Sequence, residues 1–463
     1  MLILGKAKKA KNPYRMIVAS YAIAILIGTL LLAMPFSNKN GEWHLGINTL
    51  FLAANAISVT GLDPIQGGMG NLLTPFGFVV TLVLAQIGGL GIMTISSFVI
   101  FLINKRLSAN IENLATQDIG ESHGEILKKL ITKAVKFTFV CEGIGAILLT
   151  ILFYNSEANL SLDNSAFHGL FFSVMAFCNA GISLYHNSIG YFISSPAIQL
   201  IFILLATIGG IGFIVISELT STQLFAKKHL NHKKLSIHTK TIIITTLAII
   251  IISTLLTLLL EYNGNAFKDA GIKSWHQKLL SSLFHVSQSR NAGFSTIPTN
   301  ELTNASLILT MCVMFIGAAP GSTAGGIKVT TLAIVLASIR SQINNRKETV
   351  LFERTINSTV VRDAFIIFYL YIASLIIGTF CLAIAEQYNS LHHFKDILFE
   401  VLSALTTTGL STGITPNLTS LGKLCIVICM FIGRLGPITI VMLLAKRNQQ
   451  YLNRFPEEHI SVG

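Results

Sequence analysis

The sequence predicts an all-α integral membrane protein of four tandem helix–pore-helix–helix units, with eight transmembrane spans in total. Three observations predict it. Of the 463 residues, 52% are hydrophobic and only 12% charged, with a mean hydropathy of +0.67, whereas a soluble domain carries about 25% charged residues. Lysine and arginine gather in five segments separated by four hydrophobic stretches. A short motif recurs four times, as Val59-Thr60-Gly61-Leu62, Asn179-Ala180-Gly181-Ile182, Asn291-Ala292-Gly293-Phe294 and Thr407-Thr408-Gly409-Leu410, its glycines 120, 112 and 116 residues apart. Self-similarity at a near-constant period means a repeat.

Composition excludes much. The apolar runs reach the roughly 20 residues a membrane-crossing helix needs, and they lack the alternation of a β-barrel. The basic segments, Lys6 to Arg15, Lys105 to Lys133, Lys227 to Lys240, Arg340 to Arg362 and Lys446 to Arg454, hold 23 of the 33 basic residues. The positive-inside rule makes them cytoplasmic, while Glu42, Asp63, Glu157, Asp163, Asp269 and Glu301 lie in the loops between. The net charge of +12 therefore reads as a topology signal, with anionic-lipid or partner contacts, and not as nucleic-acid binding. The chain is expected in the cytoplasmic (inner) membrane with both termini in the cytoplasm. Six cysteines in or beside apolar runs read as small packing residues, and the histidines offer no metal-ligand spacing. The run Met16–Met34 lacks a small-residue cleavage site and reads as the first span rather than a signal peptide.

The elements follow in order. After a cytoplasmic N-terminus (1–15), unit 1 (16–103) has a span at Met16–Met34, a segment too short to cross at Leu45–Ile57, Gly61, and a long second span at Leu72–Ile103. A cytoplasmic linker (104–133) leads to unit 2 (134–226), with Ala134–Phe153, Phe167–Phe177, Gly181 and Ala197–Ser217. Linker 227–240 precedes unit 3 (241–342), with Thr241–Leu260, Trp275–Val286, Gly293 and Ala305–Ile339. Linker 343–363 precedes unit 4 (364–445), with Ala364–Ala385, Phe394–Leu405, Gly409 and Leu421–Ala445, and a cytoplasmic tail (446–463) closes the chain. The second spans share another mark, Ile87-Gly88-Gly89, Ile208-Gly209-Gly210, Ile316-Gly317-Ala318 and Ile432-Gly433-Arg434, offset 27, 28, 24 and 24 residues from the motif glycines.

Non-helical backbone survives within a bilayer only where protein surrounds it or where it lines a watery cavity. Glycine permits backbone angles that turn successive carbonyls to one side. Four such loops about a pseudo-fourfold axis would make a K+-channel-like ring of carbonyl oxygens able to replace an ion's hydration shell. The half-helices before them would aim partially negative ends at the axis. A single such glycine would instead read as a close helix contact. Unit 3's second span is interrupted by Gly317-Ala318-Ala319-Pro320-Gly321-Ser322-Thr323-Ala324-Gly325-Gly326, which leaves halves too short to cross. It reads as a mobile intramembrane gate, the alternative being a kinked helix. Arg434, a charge at mid-membrane depth, could donate to carbonyls of that loop, or sit in a structural ion pair. Arg290, beside the third motif, needs a partner if it is not to repel cations, and Glu400 is the expected one. Glu142 reads as an interhelical hydrogen-bonding group.

With its loops Ser-Val-Thr-Gly-Leu, Cys-Asn-Ala-Gly-Ile, Arg-Asn-Ala-Gly-Phe and Thr-Thr-Thr-Gly-Leu-Ser, the chain resembles the Trk/Ktr/HKT superfamily of K+ transporters. The segment Phe399-Glu400-Val401-Leu402-Ser403-Ala404 is similar to that superfamily's last pore helix, and Arg290 before the third loop fits it too. The tail from Arg454 to Gly463 resembles that of the membrane subunits of the Ktr branch. The resemblance implies K+ uptake by a homodimer whose subunits each carry a pore and a gate loop. It also implies a cytosolic RCK ring that binds ATP or ADP, and possible Na+ dependence, with no organic cofactor on this chain. Some plant relatives carry serine at the first filter glycine; Gly61 here is consistent with K+ preference. A TrkH-like K+ or Na+/K+ transporter is the near alternative. A secondary carrier of an organic solute would call for inverted repeats and paired broken helices, whereas only one long span reads as broken. An enzyme would need a nucleophile–base or metal constellation that the sequence lacks.

Overall fold

The computed structural model describes residues 13–107, 123–156, 160–222, 235–388, 393–437 and 439. Most of the terminal segments 1–15 and 446–463, and much of linkers 104–133 and 227–240, lie outside the described residues. Helices dominate, and the strands among the described residues are the two-residue pair β1 (Val350–Leu351) and β2 (Arg354–Thr355) in the third linker.

Each unit opens with a long apolar helix: α1 (Pro13–Ala33), α4 (His123–Tyr154), α8 (Ile237–Glu261) and α12 (Ser358–Ala385). A short, deeply buried helix follows: α2 (Ile47–Ser58), α5 (Leu162–Cys178), α9 (Trp275–Asn291) and α13 (Phe394–Thr406). The second long segments are α3 (Pro75–Leu107), α6 (Pro196–Ile211) with α7 (Phe213–Thr222), α10 (Asn304–Phe315) with α11 (Val329–Ile343), and α14 (Ser420–Leu435). Three described stretches are by length and hydropathy able to cross a membrane alone: Thr132–Tyr154, Ile237–Glu261 and Ser358–Ala385; the bent pair α6–α7 makes a fourth. The count of eight comes from the repeat, because the remaining apolar helices are shorter as described.

The expectation of a single broken span is corrected. Among the described residues three second spans are interrupted: α10 and α11 by the stretch between Phe315 and Val329, α6 and α7 by a 95° bend at Gly212, and unit 4 at Gly436, where α14 ends with φ +81. Gly212 has φ +88, and a Cβ there would meet the Pro320 carbonyl oxygen at 2.8 Å. The unit 3 loop lies against this bend, a contact that a local reading of Ile208-Gly209-Gly210-Ile211-Gly212 does not contain, while the equivalent Gly436 of unit 4 leaves its helix at φ +81 with open space around it among the described residues.

The apolar residue closing each motif explains itself in the packing. Leu62, Ile182, Phe294 and Leu410 are buried, each contributing about 1.5–3 kcal/mol of transfer free energy. Phe294 stands edge-on to Phe202 of α6 at 5.0 Å and lies 6.1 Å from Phe172 of α5, so it joins units 2 and 3. Outward faces are apolar: Ile251, Ile252, Ile376 and Ile377 are each more than half exposed, which suits hydrocarbon and not water.

Candidate functional site: a ring of four glycine loops and the loop beneath it

The four motif glycines converge into a closed ring. A Cβ on Gly61 would meet the Ala180 carbonyl oxygen at 2.9 Å, and one on Gly181 the Ala292 oxygen at 2.5 Å. On Gly293 it would strike the Thr408 oxygen and Gly409, and on Gly409 the Thr60 oxygen and Gly61. Contacts thus run from unit 1 to 2, 3, 4 and back to 1. All four glycines have positive φ, from +65 to +107, where an added Cβ is strained.

The chain before each glycine spends its amide hydrogens on its own pore helix. Thr60 N donates to Asn55 O, Ala180 N to Met175 O, Ala292 N to Gln288 O and Thr408 N to Ser403 O. Gly61 N donates to the Asn55 side-chain oxygen at 2.6 Å, and Gly409 N to Ser403 Oγ at 3.0 Å. No donor among the described residues is bonded to the carbonyls of Thr60, Ala180, Ala292 or Thr408. Buried carbonyls are normally paired, so a ring of unpaired ones is suited to a cation. Val59, Asn179 and Thr407 take left-handed conformations (φ +55, +60 and +50), which cost roughly 1–2 kcal/mol each. Unit 3 departs from this: Asn291 is the last helical residue and Ala292 has φ −116.

The second repeated mark seats the pore helices. A Cβ on Gly88, Gly209 or Gly433 would collide with the carbonyl oxygen of Ile57, Phe177 or Leu405, each four residues before its motif glycine. In unit 3 the equivalent Gly317 packs on Gly325 and Gly326 instead, because here the helix has opened into the loop.

That loop is buried from Gly317 to Gly326 apart from the half-buried Pro320. Ala319 N donates to Gly210 O, and Phe213 N to Gly321 O. Ser322 Oγ donates to Ala319 O, and Lys328 Nζ to Ala324 O at 2.7 Å. Ala318 is fully buried and its carbonyl accepts from Val329 N. Thr323 is the hub. Its amide donates to Gly209 O at 3.3 Å, its hydroxyl lies 3.2 Å from Phe177 O, and it accepts from Asn179 Nδ2 at 2.6 Å. Asn179 is the left-handed residue entering the second motif, so the loop touches the ring directly. Gly325 lies against Thr406 O and Thr407 Oγ1 of unit 4.

Arg434 occupies the repeat position of Gly89, Gly210 and Ala318. Its Nη1 donates to Thr323 O, and its Nη2 to Gly88 O at 2.6 Å, so it joins loop, unit 4 and unit 1. It has no carboxylate within ion-pair distance among the described residues. The expected Arg290–Glu400 pair is corrected: Glu400 accepts from the hydroxyls of Ser411 and Thr415 (the latter at 3.1 Å), and Arg290 Nε and Nη2 have no partner among the described residues. Depth is the reason. Glu400 lies nine residues before its glycine and Arg290 three, about 9 Å apart along helices rising 1.5 Å per residue. Glu142 does bond between helices, accepting from Gln86 Nε2 at 3.1 Å.

Sequence reasoning missed several contributors. Asn55 and Ser403 stand six residues before their glycines, a spacing that could have marked them. Thr323 stood within the expected gate run, whereas Lys328, two residues beyond it, had no mark of its own. Two residues beyond Gly61, Asp63 accepts from the amides of Ile65 and Met69, and Lys423 of unit 4 donates to Asn48 and Pro64 O. Burial pushes the Asp63 carboxyl up to about 6, against the pull of those amides and of Lys423.

Comparisons with known proteins bear on the family and the fold. The family model "TrkH: Cation transport protein" matches residues 5–454. Ktr system potassium uptake protein B of Bacillus subtilis is 32% identical over 453 residues, covering 98% of this chain and 97% of that protein. Potassium/sodium uptake protein NtpJ of Enterococcus hirae is 32% identical over the full length of both. Among solved structures, the potassium transporter TrkH from Vibrio parahaemolyticus superposes with a TM-score of 0.72 at 19% identity, covering 95% of this chain and 86% of that one. With the family model spanning nearly the whole chain, this multi-pass helical protein belongs to the TrkH family of cation transport proteins.

Proposed function

We propose that the chain carries K+ into the cell through the glycine ring, where carbonyl oxygens replace the ion's water. The closed cycle of contacts among Gly61, Gly181, Gly293 and Gly409, with unpaired carbonyls beside it, carries this reading. The names of relatives in the Ktr system support K+ as the ion, and the name of NtpJ keeps Na+ beside it as a second ion or a coupling ion. The 317–326 loop is the gate and Arg434 its latch, a reading supported by the bonds from Arg434 to Thr323 and Gly88. The working unit is a homodimer in the cytoplasmic membrane, regulated by a cytosolic RCK ring that binds ATP or ADP.

Radioactive rubidium uptake into cells lacking their own K+ uptake systems tests it, comparing wild type with Gly293→Ser. Serine at φ +71 against the Thr408 oxygen must widen the ring. The expected result is uptake in wild type and a loss of discrimination against Na+ in the variant. Equal discrimination in both would remove the filter from this position.

A further inference from the structure

A cavity of about 310 Å³ lies between α4 and α7, outside the ion path just described. Its inner end is the fully buried Phe177, its sides are Phe137, Phe213 and Ile216, and its rim carries Lys133 and Lys136. Both lysines are exposed. They stand near the start of α4, which follows a linker that charge places in the cytoplasm. Further along α4, Phe139, Val140 and Ile144 are all more than half exposed, so this side of the helix faces hydrocarbon. The nearby carboxylate, Glu218, is engaged with the amide and hydroxyl of Ser236. An apolar recess with two cations at its cytoplasmic edge matches one kind of occupant. A soluble anion would leave the phenylalanines wet, and a neutral lipid would leave the lysines unanswered.

We propose that this cavity holds an anionic phospholipid of the cytoplasmic leaflet, headgroup on Lys133 and Lys136 and acyl chain against Phe137, Phe213 and Phe177. Two of its walls are also supports of the loop read above as the gate, and the consequence for flux rests on that reading. Phe213 donates its amide to Gly321 O at 3.3 Å, and a Cβ on Gly321 would meet its ring at 3.0 Å. The Phe177 carbonyl lies 3.2 Å from the Thr323 hydroxyl. An acyl chain filling the recess holds both phenylalanines where they touch the loop. A ligand that favours one arrangement shifts the population towards it, so the lipid stabilises the latched loop and lowers flux.

The test uses the full-length protein, with bound phosphatidylglycerol counted by native mass spectrometry. Rubidium flux is measured in vesicles of phosphatidylcholine alone or mixed with phosphatidylglycerol. A lysine near an anionic surface contributes about a fivefold factor in affinity. Lys133→Gln with Lys136→Gln should therefore weaken phosphatidylglycerol retention about 25-fold, and Ile216→Trp, which fills the recess, should abolish it. Phosphatidylglycerol should slow flux severalfold in wild type and leave both variants unaffected. Retention by the double-lysine variant equal to wild type overturns the proposal. So does displacement of the lipid by soluble glycerol phosphate, which reassigns the rim to a free anion, or faster flux in phosphatidylglycerol. K+-selective flux indifferent to phosphatidylglycerol sinks this proposal alone, whereas unselective flux in both lipids sinks the filter reading.

Discussion

Arg434 is a cation without a carboxylate among the described residues, held by two backbone carbonyls from different units. Hydrogen bonds from a charged group contribute about 1.5–3 kcal/mol each, so if the loop is the proposed gate, losing the bond to Thr323 should unbalance it. Arg434→Ala should raise rubidium flux without any cytosolic partner by roughly tenfold or more. Thr323→Val, which removes a neutral hydroxyl bonded to Asn179 and Phe177, should do so by about fivefold. Unchanged flux in both variants would leave the loop without a latch. Asp63 gives a pH dependence of known sign. Its carboxyl titrates at about 6, so it is charged at neutral pH and is neutralised as external pH falls through 6. Two residues beyond Gly61, that charge would concentrate cations at the entrance of the proposed filter. Apparent K+ affinity should drop on acidification across this window, and Asp63→Asn should show the lower affinity at every pH; a variant that keeps the wild-type pH profile places the titration elsewhere.

At the scale of elements, the pore helices are placed by absence of side chains. Gly88, Gly209 and Gly433 let three second spans approach a pore-helix carbonyl more closely than any Cβ permits. Backbone cannot retreat as a flexible side chain can, so Gly209→Ala should displace Phe177 and the second motif, costing about 2 kcal/mol or more by overpacking. A fall in thermal stability together with loss of K+ selectivity is expected; stability loss with selectivity intact would make Gly209 a packing residue only. Unit 3 shows what happens without this contact. Its second span breaks at the Gly- and Pro-rich run, and the freed backbone finds partners in Gly209, Gly210 and Arg434.

Taken whole, the molecule is a cycle in which each unit's loop leans on the next. Gly61 meets unit 2, Gly181 unit 3, Gly293 unit 4 and Gly409 unit 1, so no loop can move without changing two neighbours. Serine at Gly61, Gly181 or Gly409 should therefore reduce discrimination against Na+ as Gly293→Ser does, measured as the ratio of rubidium to sodium uptake in the same cells. Loss confined to one position would mean that the four loops do not act as one site.

The sequence by itself determined the class and the repeat. Apolar length, basic clusters and glycine spacing are local quantities that pleat a chain through a bilayer whatever its neighbours do, and the four short buried helices fall close to where amphipathic segments were read. The interruption of unit 3 was legible for the same reason, since Gly-Ala-Ala-Pro-Gly disfavours helix wherever it stands. Tertiary structure decided the rest. Glu400 turns to Ser411 and Thr415 because the returning strand of its own loop brings hydroxyls to its depth. Gly212, at the bend of its span, meets the Pro320 carbonyl of a loop more than a hundred residues away, and Thr323 meets Asn179 only once units 2 and 3 are side by side. Which partners meet across units depends on how the units close around an axis, and that closure is a property of packing, not of any stretch of chain.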